Sequence, residues 1–83
     1  IIGLQVYDDC LTYFVISSNY YYLVLEPFSN VEIEFAKTII NGEELMMRHS
    51  LNENGNIMIS ETVEFTSLPN ILDYDVRIKK NVK

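Results

Sequence analysis

The chain has 83 residues, of which 48% are hydrophobic and 22% are charged, and its formal net charge is −6 at pH 7. This composition is globular and the length is that of one domain with a small core, so we predict a single domain over residues 1–83. The longest apolar runs are far too short to cross a bilayer, which argues against a membrane protein. The sequence begins at Ile1 without methionine, as a piece of a longer protein would.

The charges are distributed unevenly along the chain. Residues 1–76 carry all twelve acids and two of the six basic residues, a balance of −10, and residues 77–83 carry the other four basic residues. An acidic body repels phosphate backbones, which argues against nucleic-acid binding. It favours a protein partner, and a basic partner in particular, because opposite charge steers association.

Period-two alternation of β-branched and aromatic residues is the main structural signal. We therefore predict an all-β fold, a small antiparallel barrel or sandwich of about six to seven hairpin-connected strands. In chain order, the predicted strands are Ile2–Tyr7, Leu11–Ser17, Tyr20–Glu26, Val31–Ile39, Glu43–Leu51, Asn56–Phe65 and Leu72–Lys79.

Matching of apolar faces sets the register of two predicted hairpins. It favours three-residue loops at Ile40-Asn41-Gly42 and Glu53-Asn54-Gly55, with glycine in the left-handed position. A one-residue slip would turn every side chain to the opposite face of the sheet. The predicted cross-strand pairs are Phe35 with Met47, Val31 with Leu51, Glu34 with Arg48, Leu51 with Ile57, and Leu45 with Val63.

An alternative for the middle of the chain is an α+β fold with a helix within residues 31–52. Ser29 and Glu32 have the spacing of a helix capping box, and Asn41-Gly42 could end a helix. The strict alternation of residues 31–35 argues against this alternative.

The hairpin over residues 11–26, with its predicted turn at Ser18-Asn19, is apolar on both faces. A strand pair of this kind is usually covered on both sides. The chain has material to cover one face, and the other would then form an apolar patch of the kind that marks an interaction site. We predict that this second face is a protein interface formed by Tyr13, Val15, Tyr20, Tyr22 and Val24. The alternative is that a curled barrel or sandwich, or the loop at residues 66–71, covers this face within the chain.

Catalytic and metal-binding signatures are weak. Cys10 is the single cysteine, so it can form neither an internal disulfide nor a multi-thiolate metal site, and it follows two aspartates that would blunt a nucleophilic thiol. His49, the single histidine, is placed by strand parity on the apolar face beside Ile59, as a core-edge residue. The acid clusters alternate along strands in the manner of a solvated face, without the spacing of a calcium-binding loop. We predict no catalytic residues, no metal and no cofactor.

These observations predict a non-enzymatic, acidic protein-binding module. Its two forms are self-association into an oligomer and action as an inhibitor or accessory subunit, both through the Tyr/Val-rich face. One alternative is a structural or regulatory β domain of a larger protein. A further alternative is a small-ligand carrier or enzyme that uses the barrel interior, with His49 and Glu61 as candidate polar groups. The single cysteine and the lack of an apolar leader favour an intracellular location.

Overall fold

The computed structural model describes residues 2–7, 9–28, 32–50, 57–67 and 74–81. These residues form eight β-strands and, within the described part of the chain, no helix. The bounds of the strands are β1 Ile2–Tyr7, β2 Cys10–Ser17, β3 Tyr20–Pro27, β4 Glu32–Ile40, β5 Glu43–His49, β6 Met58–Ser60, β7 Val63–Glu64 and β8 Tyr74–Asn81.

The strands form one antiparallel sheet that is nearly closed into a barrel. Its order is β1-β2-β3-β6-β5-β4-β8, and the short strand β7 pairs with the end of β3 beyond β6. The prediction of a small antiparallel all-β barrel is therefore confirmed. The alternative helix within residues 31–52 is wrong, because β4 and β5 are strands through their described lengths.

The predicted strand Asn56–Phe65 is two strands in the structure. Residues 61 and 62 separate β6 from β7, and both short strands pair with β3. At this break the Ser60 hydroxyl accepts a hydrogen bond from the Leu23 backbone N–H at 2.8 Å. A buried side chain thus satisfies a backbone donor that the ladder leaves without a strand partner.

The β4–β5 hairpin has a two-residue turn at Asn41-Gly42, so the predicted three-residue loop is wrong. Asn41 has φ of 50° and Gly42 has φ of 84°. Positive φ at both central residues is the signature of a type I′ turn, whose twist matches that of the flanking strands. Met47 consequently pairs with Ala36 and not with Phe35.

The physical reason for this error is a β-bulge in β4. The pairing of β4 with β8 shifts by one residue between Ile33 and Phe35. Ile33 and Ala36 are therefore both buried, although they are three positions apart, and Phe35 is 36% exposed. The extra residue at the bulge exchanges the two faces of the strand. The odd-numbered Ile33 faces the core before the bulge, and even-numbered residues face it afterwards. The predicted pair of Val31 with Leu51 lies outside the described residues.

The register between β5 and β6 also differs from the prediction by one residue. Met47 pairs with Ser60 and His49 with Met58, while Val63 pairs with Tyr21 on β3 instead of Leu45. The core face of β6 is the one that carries Met58 and Ser60, and matching by hydrophobicity could not assign a serine to it. The predicted loop at residues 53–55 and the partner of Leu51 lie outside the described residues.

The barrel interior is filled by apolar side chains centred on Phe14, which is fully buried. The ring of Phe14 meets the rings of Tyr21 and Tyr74 edge to face, at centroid distances of 5.7 and 4.8 Å. Such pairs add to the stabilisation that comes from burial alone. The other buried apolar residues in the core cluster are Cys10, Leu23, Leu25, Ile33, Ala36, Ile40, Met47, Met58 and Val76.

Side chains bridge the seam between the two terminal strands of the sheet, β1 and β8, which share no ladder among the described residues. The Tyr74 hydroxyl on β8 donates to the Gly3 carbonyl on β1 at 2.5 Å and lies 3.0 Å from the Thr12 hydroxyl. The Tyr7 hydroxyl donates to Gln5 Oε1 at 2.6 Å and lies 3.2 Å from the Tyr74 carbonyl. Hydrogen bonds of the tyrosine hydroxyls thus connect β1 to β8, where backbone pairing ends.

Stability is expected to fall at alkaline pH because of these tyrosines. Burial is the main cause that raises the pKa of Tyr7, Tyr21 and Tyr74 above the ordinary value of 10.0. Above about pH 10 the unfolded chain releases phenolic protons that the folded chain retains, so the free energy of unfolding decreases as pH rises. Below that pH both states are protonated and these groups contribute no slope.

Urea unfolding at a series of pH values, followed by circular dichroism and tyrosinate absorbance, measures this slope. We expect a flat profile between about pH 8 and pH 10 and a decline above it, with a shallower decline in Tyr74→Phe. A free energy of unfolding that stays constant well above this pH would contradict the prediction.

Candidate protein-docking face

The β2–β3 hairpin positions the five residues of the predicted interface. Its turn is at Ser18-Asn19, as predicted, and its ladder pairs Tyr13 with Val24, Val15 with Tyr22, and Ser17 with Tyr20. The intervening residues of both strands, which include Phe14 and Leu23, point into the core. Because successive side chains of a strand point to opposite faces, the five predicted residues share the outer surface of the barrel. We call this set, Tyr13, Val15, Tyr20, Tyr22 and Val24, the Tyr/Val face.

The five residues differ in accessibility. Tyr20 is 43% exposed, Val24 is only 6% exposed, and Tyr13, Val15 and Tyr22 are half-buried. Val24 is covered because it lies on a central strand between Tyr13 on β2 and Ile59 on β6. The tyrosines therefore form the accessible part of the face, and Val24 is its floor.

Other strands extend the Tyr/Val face with residues that the sequence did not assign to it. Leu4 and Val6 on β1 are 61% and 62% exposed, and Val6 pairs with Leu11 on β2. Ile59 on β6 continues the row on the other side of Val24. The Tyr/Val face together with Leu4, Val6, Leu11 and Ile59 forms what we call the apolar outer wall.

The signal for Leu4 and Val6 was ambiguous in the sequence. Both alternate with Gln5 and Tyr7, and alternation by itself predicts an inward apolar side and an outward polar side. The structure has the reverse arrangement. Gln5 accepts a hydrogen bond from the Tyr7 hydroxyl near the seam. The register of β1 against β2 shifts between Ile2 and Gln5, and Gly3 in this stretch has φ of 67°.

The outer surface of β4, β5 and β8 has a different chemistry. It carries exposed ion pairs, Lys37 with Glu44 at 2.6 Å and Lys79 with Glu34 at 3.8 Å. Pairs of this kind contribute little to stability but keep a surface hydrated. This surface also carries the exposed apolar residues Phe35 and Met46, so it mixes charged and apolar side chains. None of the residues of the apolar outer wall is charged.

Two carboxylates lie at opposite ends of the Tyr/Val face. Glu26 pairs with Leu11 at one end, and Glu64 pairs with Tyr20 at the other, where it accepts the Asn19 amide at 3.2 Å. Burial, followed by the charge and hydrogen bond of Glu26, raises the pKa of Tyr13. The Tyr13 phenol is therefore a neutral hydrogen-bond donor at physiological pH.

Two depressions lie beside the segment of residues 59–62. One has a volume of about 340 Å³ and is lined by Ser17, Ser18, Tyr20, Tyr22 and Thr62. The other has a volume of about 290 Å³ and is lined by Arg48, His49, Ile59, Ser60 and Glu61. Each is large enough to receive one or two side chains of a docked molecule.

The residues with potential chemistry lie apart from the Tyr/Val face. Cys10 is buried in the core. His49 lies on the core-facing side of β5, as strand parity predicted, but it pairs with Met58 instead of Ile59 and its side chain is exposed. Glu61 is also exposed and binds Arg48 at 3.1 Å. Neither polar group proposed for a ligand-binding interior is therefore enclosed by the barrel. Among the described residues, no three His, Cys, Asp or Glu side chains come close enough to hold a metal ion.

None of the described residues belongs to a helix of the length and hydrophobicity needed to cross a membrane. Comparisons of the chain with protein-family models, with curated proteins and with solved structures found no match.

Proposed function

We propose that this domain is a non-enzymatic protein-binding module and that the Tyr/Val face is its docking surface. The observation that carries the proposal is the unequal chemistry of the barrel exterior. Isolated exposed apolar residues are normal on a protein surface, but a continuous apolar wall rimmed by polar residues is typical of an interaction site. Leu4, Val6 and Tyr20 are the most exposed members of that wall.

The size of the apolar outer wall supports docking of modest strength. Four strands spaced about 4.8 Å apart, with outward positions repeating every 6.8 Å or so, cover roughly 400 Å². Burial of that area would contribute at most about 10 kcal/mol before the costs of association and ordering, because Val24 is already covered and Tyr13, Val15 and Tyr22 are half-buried. Standard interfaces bury about 800 Å² on each partner, so the polar rim would have to take part as well.

Tyr20 and Tyr22 are the expected anchors. Both line the depression beside the hairpin turn, and a tyrosine presents a large ring together with a hydroxyl that water or a partner can satisfy. Side chains that dominate binding energy are often tyrosines in such partly enclosed positions. Val24 and Ile59 would supply the flat apolar floor between the anchors.

A second copy of the chain is the simplest probe of this surface. We expect the wild-type domain to associate weakly at high protein concentration. Added salt should strengthen the association, because it screens the acidic residues of both copies. The Tyr22→Glu variant should remain monomeric at the same concentrations, because the change places a charge in the centre of the contact.

Sedimentation velocity over a range of protein and salt concentrations measures this association. Phe35→Glu is the matched control, because Phe35 is 36% exposed on β4, which β5 and β6 separate from β3 in the sheet. Equal effects of the two substitutions, or a wild-type domain that stays monomeric in high salt, would count against the proposal. Circular dichroism of Tyr22→Glu checks that the variant is folded.

A further inference from the structure

We infer that the partner of the Tyr/Val face is an amphipathic cationic segment of another protein, laid along β3 with a basic group at each end. This inference rests on the proposed function and names the kind of partner. The positions of charged side chains relative to the apolar outer wall support it.

Carboxylates close both ends of the face along β3. Glu26 lies on β3 itself, and Glu64 is paired with Tyr20 at the opposite end of that strand. Tyr20 and Glu26 are six residue steps apart along the extended strand, a distance of about 20 Å. No lysine or arginine is among the residues of the apolar outer wall, and the nearest described basic residue across β6, Arg48, is bound to Glu61.

A second copy of the domain is a weaker partner for this surface than a cationic segment would be. Packing of two Tyr/Val faces against each other would bring Glu26 and Glu64 of both copies into one interface without a basic residue from either wall. Like charges that meet in an interface reduce affinity and select against that partner. A partner with basic groups at the same spacing would bind more tightly, because each basic group would lie next to one of these carboxylates.

The length of the face fits a short helix. A helix rises 1.5 Å per residue, so about 14 residues span 20 Å. Apolar residues at positions i, i+3, i+4 and i+7 would cover the Tyr/Val face, and lysine or arginine in the first and last turns would reach the two carboxylates. The depression lined by Tyr20, Tyr22 and Thr62 lies beside this path and could receive one apolar side chain.

The test is an NMR titration of the labelled domain with a helical Leu–Lys peptide of about 14 residues. A Leu–Glu peptide of the same pattern is the control for charge. We expect the Leu–Lys peptide to shift the amide signals of Tyr13, Tyr20 and Tyr22, and the Leu–Glu peptide to leave them unchanged. Binding should weaken as salt is added.

Paired variants separate a specific contact from general attraction to an acidic protein. The double variant Glu26→Gln/Glu64→Gln should bind the Leu–Lys peptide about tenfold more weakly, as expected for the loss of two rim charges. The double variant Glu34→Gln/Asp75→Asn removes the same charge from exposed positions on β4 and β8, and its affinity should change less than about twofold.

Three results would overturn the inference: equal weakening by both double variants, shifts that map away from the Tyr/Val face, or equal binding of the Leu–Glu peptide. If the Leu–Lys peptide fails to bind while self-association still depends on Tyr22, this inference fails and the proposed docking function stands.

Discussion

Replacement of Phe14 by alanine is expected to lower the free energy of unfolding by about 3–5 kcal/mol. Phe14 is fully buried, and its ring packs edge to face against Tyr21 and Tyr74. The substitution removes the largest buried side chain at the centre of the barrel and leaves a cavity between β2, β3 and β8. Two aromatic contacts are lost together with the transfer free energy of the ring.

An effect of this size is a large part of the total stability of a small domain, which is about 5–15 kcal/mol. We therefore expect Phe14→Ala to be mostly unfolded at moderate temperature. Urea denaturation followed by circular dichroism measures the change. Phe35→Ala is the matched control, since Phe35 is 36% exposed on β4 and its loss should cost about 1 kcal/mol. Similar decreases in the free energy of unfolding of the two variants would contradict the assignment of Phe14 to the core.

The strands could be predicted from the sequence because alternation and turn residues agree along most of the chain. The predicted bounds of the first strand match β1, and the turn at Ser18-Asn19 follows from two runs rich in β-branched and aromatic residues. The type I′ turn at Asn41-Gly42 was also present in the sequence as an Asn-Gly pair, the strongest short hairpin signal. Matching of apolar faces favoured a three-residue loop against this local signal, and that prediction is wrong.

The register could not be predicted because it depends on irregularities that pairing creates. The bulge in β4 between Ile33 and Phe35 forms against β8, which is distant in sequence. The inward placement of Ser60 depends on the Leu23 N–H that it satisfies at a break in the ladder. Neither feature produces a recognisable local pattern in the sequence. Each one shifts the register by one residue, which exchanges the core-facing and outward-facing side chains.

The candidate face was predictable in part for the same reasons. A hairpin that is apolar on both sides must present one side outward unless other elements cover it, and strand alternation predicts that this side carries Tyr13, Tyr20 and Tyr22. The contributions of Leu4, Val6 and Ile59 come from strands that lie beside the hairpin only after the sheet has formed. The end positions of Glu26 and Glu64 likewise depend on the pairing of β3 with β2 and β7.

Tyr74→Phe is expected to lower the free energy of unfolding by about 1–3 kcal/mol, because it leaves a carbonyl at the seam without its donor. The Tyr74 hydroxyl links β8 to the Gly3 carbonyl on β1 and contacts the buried hydroxyl of Thr12. Since β1 pairs only with β2 among the described strands, this bond is a principal restraint on its other edge. The loss should therefore appear first as local opening of β1.

Hydrogen exchange of backbone amides separates this local effect from a global one. In Tyr74→Phe, amides of β1 should exchange faster by a larger factor than those of the β2–β3 hairpin, where the ladder is intact. Tyr20→Phe is the control, because Tyr20 is exposed on the outer wall and its hydroxyl should be worth less than about 0.5 kcal/mol. Uniform acceleration across all strands would mean that the hydroxyl stabilises the barrel as a whole, and unchanged exchange in β1 would mean that the seam is held by other contacts.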